Sequence, residues 1–350
     1  MFSEVNSIRR AGLFLLVPLL TVTLSAQSLP PEAEMLARQG HAALDKNEFA
    51  LAIQDFERAR RFAPQSAQIL RPLLLSYLEA GRLNEAVEVG HQAVEVSPGD
   101  AESHHWLGLA YFKRGQLADA QKELEESAKL AENSFDTHFD LALVLLAEQQ
   151  YASAAPQLET SLRLKPSSAL AHVLLGRSYQ NTNRTLQAVD EFRAALRIDS
   201  NLPLAHYHLG FAYGSLGQNR QAIAEYEAEI RRTPNDAEVQ YQLGRCLLES
   251  GDWKSAITHL RRATALDPQK GNGFYELGKA FLLDDNLEGA MTALRRAIEL
   301  NPQDPSPHYQ LARTLERSGN QDAAREERKR FAELKKSQQQ SGGMATGRIE

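Results

Sequence analysis

The chain is 350 residues long and carries 39 basic against 45 acidic side chains, a formal charge of −6. That balance excludes the basic stripe expected of a nucleic-acid binder. Its single cysteine, Cys246, excludes an internal disulfide and reads as a small helix residue.

The first segment is the most apolar. Arg9 and Arg10 precede a 16-residue apolar run, Ala11 to Ala26, interrupted by Pro18 and followed by small residues. This is the layout of a secretory signal peptide. A membrane-spanning helix wants about 20 apolar residues. Residues 1–26 are therefore expected to be a signal, cleaved near Ala26 or Ser28, that exports the protein to a periplasm or cell envelope. An uncleaved segment would instead anchor it and would be its one contact with a membrane. Residues 27–32, with Pro30 and Pro31, read as a linker.

From residue 33 to about 338 the sequence is periodic. Alanine recurs every 34 residues at Ala52, Ala86, Ala120, Ala154, Ala188, Ala222, Ala256, Ala290 and Ala324, with no insertion. A fixed period of this length means a stacked array whose units bury their core against one another. Repeat position 1 is taken at Ala33, Ala67, Ala101, Phe135, Ala169, Pro203, Ala237, Gly271 and Pro305.

Apolar residues at positions 4, 7, 8 and 11 make one stripe on a first helix, and positions 20, 24 and 27 make another on a second helix. Small residues at 8 and 20 let the two backbones approach where they cross. Position 15 is Gly or Asn in seven repeats, which suits a left-handed residue ending the first helix. Pro at position 32 in six repeats ends the second helix. Pro203 and Pro305 are expected to open first helices.

The second repeat departs most. Leu74 replaces the small residue at 8, Gly90 replaces the large one at 24, and Pro72 falls inside the first helix. A volume-compensated exchange with a local kink is expected. In the ninth repeat Arg328 takes the usually apolar position 24, as suits a capping helix whose outer face meets water. Residues 339–350 read as a disordered tail.

The stretches "HHWLGLAYFKRGQLADA", "AHYHLGFAYGSLGQNRQAIAEYEAEIRRTP" and "YQLGRCLLESGDWKSAITHLRRATALDP" resemble the tetratricopeptide repeat family. The resemblance implies an all-α fold, a right-handed superhelical solenoid of nine helix-turn-helix units. It also implies a concave groove lined by first-helix positions 2, 5, 9, 12 and 13. In that groove repeats two to four present Leu75, Leu78, Leu109, Phe112, Phe139, Leu143 and Leu146. Repeats six to nine present Tyr207, Tyr241, Tyr275 and Tyr309 at position 5, and Phe211, Arg245, Lys279 and Arg313 at position 9. Positions 5 and 9 share a helix face, so each of the last three tyrosines should sit beside its cation. The expectation is an apolar ligand segment in the N-terminal half of the groove and an aromatic or acidic one in the C-terminal half. The partner is then another protein or peptide, with no nucleic acid and no small-molecule cofactor. The function implied is a non-catalytic scaffold, or else a regulatory or substrate-presenting subunit of a separate envelope enzyme or secretion or polysaccharide machinery.

Motifs for chemistry are weak. Gly273 to Ala280, "GFYELGKA", approaches a phosphate-binding loop but ends in Ala where Ser or Thr is needed. His104, His138, His172, His206 and His308 all occupy position 4. Residues one repeat apart lie on helices whose axes are about 8–10 Å apart or more, too far for one metal ion, so a packing role is expected. No nucleophile has a matched base, and no enzymatic activity, cofactor or metal is expected.

Overall fold

A computed structural model describes residues 28–345, with side chains through 340. The apolar segment read as a signal lies outside the described residues, as do residues 346–350.

The first helices of the nine repeats are α1 (Pro31–Asp45), α3 (Ala67–Glu79), α5 (Ala101–Lys113), α7 (Phe135–Ala147), α9 (Ala169–Asn181), α11 (Ala205–Ser215), α13 (Ala237–Glu249), α15 (Gly271–Leu283) and α17 (Pro305–Arg317). The second helices are α2 (Phe49–Phe62), α4 (Leu83–Val96), α6 (Leu117–Leu130), α8 (Tyr151–Leu164), α10 (Thr185–Ile198), α12 (Asn219–Ile230), α14 (Trp253–Leu266), α16 (Leu287–Leu300) and α18 (Gln321–Ala345). The described residues are thus a tandem array of helical hairpins, with no strand among them. Their contacts gather into two compact units, α1–α4 ending at Pro98 and α5–α18 beginning at Gly99.

The turn between paired helices has one design. Position 15 is left-handed in all nine repeats, from Asn47 to Gly319. Two of these residues, Gln149 (φ 59°) and Asp285 (φ 59°), are neither Gly nor Asn. The surrounding turn therefore imposes the conformation, against a cost of about 1–2 kcal/mol for an ordinary L-residue. At the other junction, the residue before the first helix accepts a backbone N–H with its side chain at Asp100, Ser134, Ser168, Asp236 and Asp304.

Inside each hairpin, position 8 meets position 24. A Cβ placed on Gly176 would lie 2.6 Å from the Phe192 ring, and one on Gly278 would lie 2.6 Å from Leu294. Only glycine admits those partners undistorted. In the second repeat the exchange of large and small keeps both Leu74 and Gly90 buried.

Several expectations are corrected. α1 begins at Pro31, inside the expected linker, because proline at the first helical position is pre-set for the helix. Pro305 opens α17, but Pro203 does not open α11, which starts at Ala205 after a left-handed Leu204. The residue that caps α11 is Leu204, whose side chain offers no acceptor. Position 27, small in most repeats, holds the buried Glu229. Pro72 does fall inside a first helix, Ala67–Glu79, as the sequence placed it. The last helix continues to Ala345, past the start of the expected tail.

Candidate functional site

In the unit from Gly99 on, successive first helices touch one another at α5–α7, α9–α11, α11–α13, α13–α15 and α15–α17. No second helix makes comparable contact with the next. The first helices therefore line the inner face of this unit and the second helices its outer face.

The sequence-predicted residues of this unit lie on these first helices and keep part of their surface. Leu109, Phe112, Phe139, Leu143, Tyr207, Phe211, Tyr241, Arg245, Tyr275 and Lys279 are all half-buried, while Tyr309 and Arg313 are exposed. Phe139 stacks on Phe135 at 5.4 Å. In the first unit Leu75 is half-buried, but Leu78 is only 1 % exposed and belongs to the core. Position 12 there faces neighbouring helices and not solvent.

Tyr207, Tyr241, Tyr275 and Tyr309 stand at one register on four successive, touching helices. Tyr207 packs 6.1 Å from the buried Tyr226 ring and 5.3 Å from His208. Burial and the carboxylates of Glu238 and Asp236 push the Tyr207 hydroxyl up to about 12, so it stays a neutral donor. Burial also raises Tyr241. His208, stacked on Phe192 at 5.5 Å, is pushed down to about 4 by burial and by Arg177. The wall beside Tyr207 is therefore uncharged at neutral pH on the histidine side.

The expected tyrosine–cation pairing holds at two of three places. Lys279 lies 5.3 Å from the Tyr275 ring and Arg313 lies 5.8 Å from the Tyr309 ring. Over Tyr241 the cation is Lys270, at 5.3 Å, and not Arg245. Arg245 turns to Glu249 at 3.3 Å and to Gln242 at 3.2 Å. Lys279 is held by Glu276 at 2.7 Å, and Lys270 by Glu238. Of the cations in this stripe, Arg313 is bonded to a neutral group, Gln310, at 3.4 Å. Sequence reasoning missed these carboxylates, although Glu276–Lys279 and Arg245–Glu249 have the helical spacing that signals such pairs.

The five histidines are joints. Within one repeat, Nδ1 at position 4 meets the side chain at position 23: His104–Glu123 at 2.7 Å, His138–Gln157 at 2.7 Å, and His172–Glu191, His206–Glu225 and His308–Glu327 at 2.6 Å each. The seventh repeat reverses the pair, His259 Nδ1 donating to Gln240 Oε1 at 2.8 Å. The other end of position 4 reaches back to a carbonyl of the preceding turn, His172 to Pro166 at 3.1 Å and Gln240 to Pro234 at 2.9 Å. Each such side chain ties its own hairpin shut and joins it to the one before. Between repeats, position 11 meets position 25: Tyr179 donates to Glu159 at 2.7 Å, and Arg193 donates to Tyr213 at 2.7 Å.

Gly273 to Ala280 lies wholly within α15, so its backbone N–H groups serve the helix and form no anion-cradling loop. Cys246 is fully buried, and burial pushes its thiol up to about 11, leaving an unreactive packing residue.

Comparison with known proteins agrees with this architecture. A family model described as tetratricopeptide repeat matches residues 36–101, 139–203, 207–271 and 248–305, and a second of the same description matches 293–326. A model described as anaphase-promoting complex, cyclosome, subunit 3 matches 79–161. No curated protein matches the chain. Among solved structures, the APC/C hetero-tetramer Cut9-Hcn1 shares the fold at 17 % identity and a TM-score of 0.50, over 81 % of this chain and 55 % of that one. YrrB, titled a TPR protein with an unusual peptide-binding site, is 24 % identical with a TM-score of 0.48, over 53 % of this chain and 95 % of that one. MamA from Desulfovibrio magneticus RS-1 is 25 % identical with a TM-score of 0.47, over 49 % of this chain and 96 % of that one.

Proposed function

The chain belongs to the tetratricopeptide repeat family, and on that premise we propose that it is a non-catalytic scaffold whose inner face in repeats three to nine takes a peptide or protein segment. The observation that carries this reading is the row of Tyr207, Tyr241, Tyr275 and Tyr309, partly exposed at one register on four touching helices. Tyrosine offers rigid contact area at low entropic cost together with a hydroxyl. Because Lys279, Lys270 and Arg245 already hold carboxylates, the segment is taken chiefly by aromatic and apolar contacts, with Arg313 as the cation open to an acidic group. The apolar half is Leu109, Phe112, Phe139 and Leu143. The working compartment is a periplasm or cell envelope, supported by Arg9 and Arg10 ahead of the Ala11–Ala26 run.

The test is affinity capture from a cell envelope with the chain from Gln27 onward, beside a variant carrying Tyr241→Ala, Tyr275→Ala and Arg313→Ala. A partner captured by the first and lost by the variant, with unchanged circular dichroism, supports the inner-face site. Capture of the same set by both overturns it.

A further inference from the structure

Position 23 is Glu, Gln or His in repeats three to seven and nine, where it closes the hairpin against position 4. The eighth repeat lacks this closure. Its position 4 is Phe274, its position 23 is Ala293, and its position 19 is Gly289, the sole glycine at that position. Gly289 and Ala293, on one face of α16, line an open hollow of about 840 Å³, within the 300–1,000 Å³ range of ligand sites. It lies between α14, α15 and α16, and none of the four tyrosines of the row lines it.

The hollow has an apolar floor, Phe274, Leu277, Phe281 and Ala293, and a cationic rim, Arg261, Arg295 and Arg296. The rim also carries two carboxylates. Of these, Glu299 is bound to Arg296 at 3.0 Å. Arg261 lies 5.1 Å from the Phe281 ring and Arg296 lies 6.0 Å from the Phe274 ring, so the guanidinium groups border the aromatic floor. Arg295 is exposed and, among the described residues, no carboxylate pairs with it. An apolar floor under forked cations complements an aromatic side chain flanked by carboxylates. We propose that this hollow is a second docking site, distinct from the inner face, for an acidic peptide segment anchored by one aromatic residue.

The probe is a fluorescently labelled pentapeptide, Glu-Asp-Phe-Asp-Glu, followed by anisotropy with the chain from Gln27 onward. Two control peptides carry Ala for Phe, and Gln and Asn for the acids. The protein variants are Ala293→Met, which fills the hollow, Arg295→Glu, which reverses an exposed rim charge without touching the core, and the pair Tyr241→Ala with Tyr275→Ala. The expected result is saturable binding weakened tenfold or more by each control peptide and by the Ala293 and Arg295 variants, and unchanged by the tyrosine pair. No saturable binding, binding indifferent to Ala293→Met or to Arg295→Glu, or binding lost with the tyrosine pair overturns the proposal. The last outcome would assign the peptide to the inner face and leave that reading standing.

Discussion

The seventh and eighth repeats share one backbone plan and differ in what closes their outer side. Each puts a fully buried leucine at position 24 against a glycine at position 8, Leu260 on Gly244 and Leu294 on Gly278. In the seventh, His259 and Gln240 then bridge the two helices. In the eighth, Phe274 and Ala293 leave the hollow open. The hairpin crossing therefore depends on the 8–24 contact, and the 4–23 pair is free to vary. An array can acquire a local cavity without losing its register.

If that separation is right, Leu260→Ala and Leu294→Ala should destabilise equally, each by about 2–5 kcal/mol. Urea melts of the two variants check it, and a much smaller cost in the eighth repeat would mean its core is already relaxed by the cavity.

The next effect is acid sensitivity near the tyrosine row. His208 is held down at about 4 in the folded chain, against about 6.5 unfolded. Its contribution is fully present above the unfolded value and is lost as pH falls from about 6.5 toward 4, by at most about 3 kcal/mol. His208→Phe, which keeps the stack on Phe192, should flatten that part of the stability–pH curve.

The His172–Glu191 bridge predicts the opposite sign. His172 is raised, first by its hydrogen bond to Glu191. Its contribution is present below about 6.5 and is lost as pH rises through the folded value. His172→Gln should remove that loss, and an unchanged curve would mean that the bridge carries no charge.

Two smaller effects sharpen the picture. The buried Tyr226 hydroxyl has no hydrogen-bond partner, so Tyr226→Phe, matching Phe56 and Phe192 at the same position, should raise stability by about 1 kcal/mol. Gln149→Gly should add about 0.5–1 kcal/mol by relieving a left-handed glutamine. Thermal melts read both, and a loss in either would show that the native residue makes a compensating contact.

The 34-residue period, the small-to-large match of positions 8 and 24, and the left-handed position 15 were legible in the sequence. Each is a steric demand within one turn or one hairpin, and such demands repeat with the chain. The tyrosine row was legible as a pattern for the same reason. The partners of its cations were not, because Arg245 and Lys279 could each reach a ring or a carboxylate, and only the rotamers in place decide between them. The late start of α11, after the left-handed Leu204, escaped the sequence reading, because Pro203 stands where a helix could open. Tertiary structure alone decided the 4–23 and 11–25 bridges and the hollow in the eighth repeat. Residues 19 or 20 apart meet only once two helices have crossed, and a cavity is the difference between the side chains present and the volume that crossing encloses.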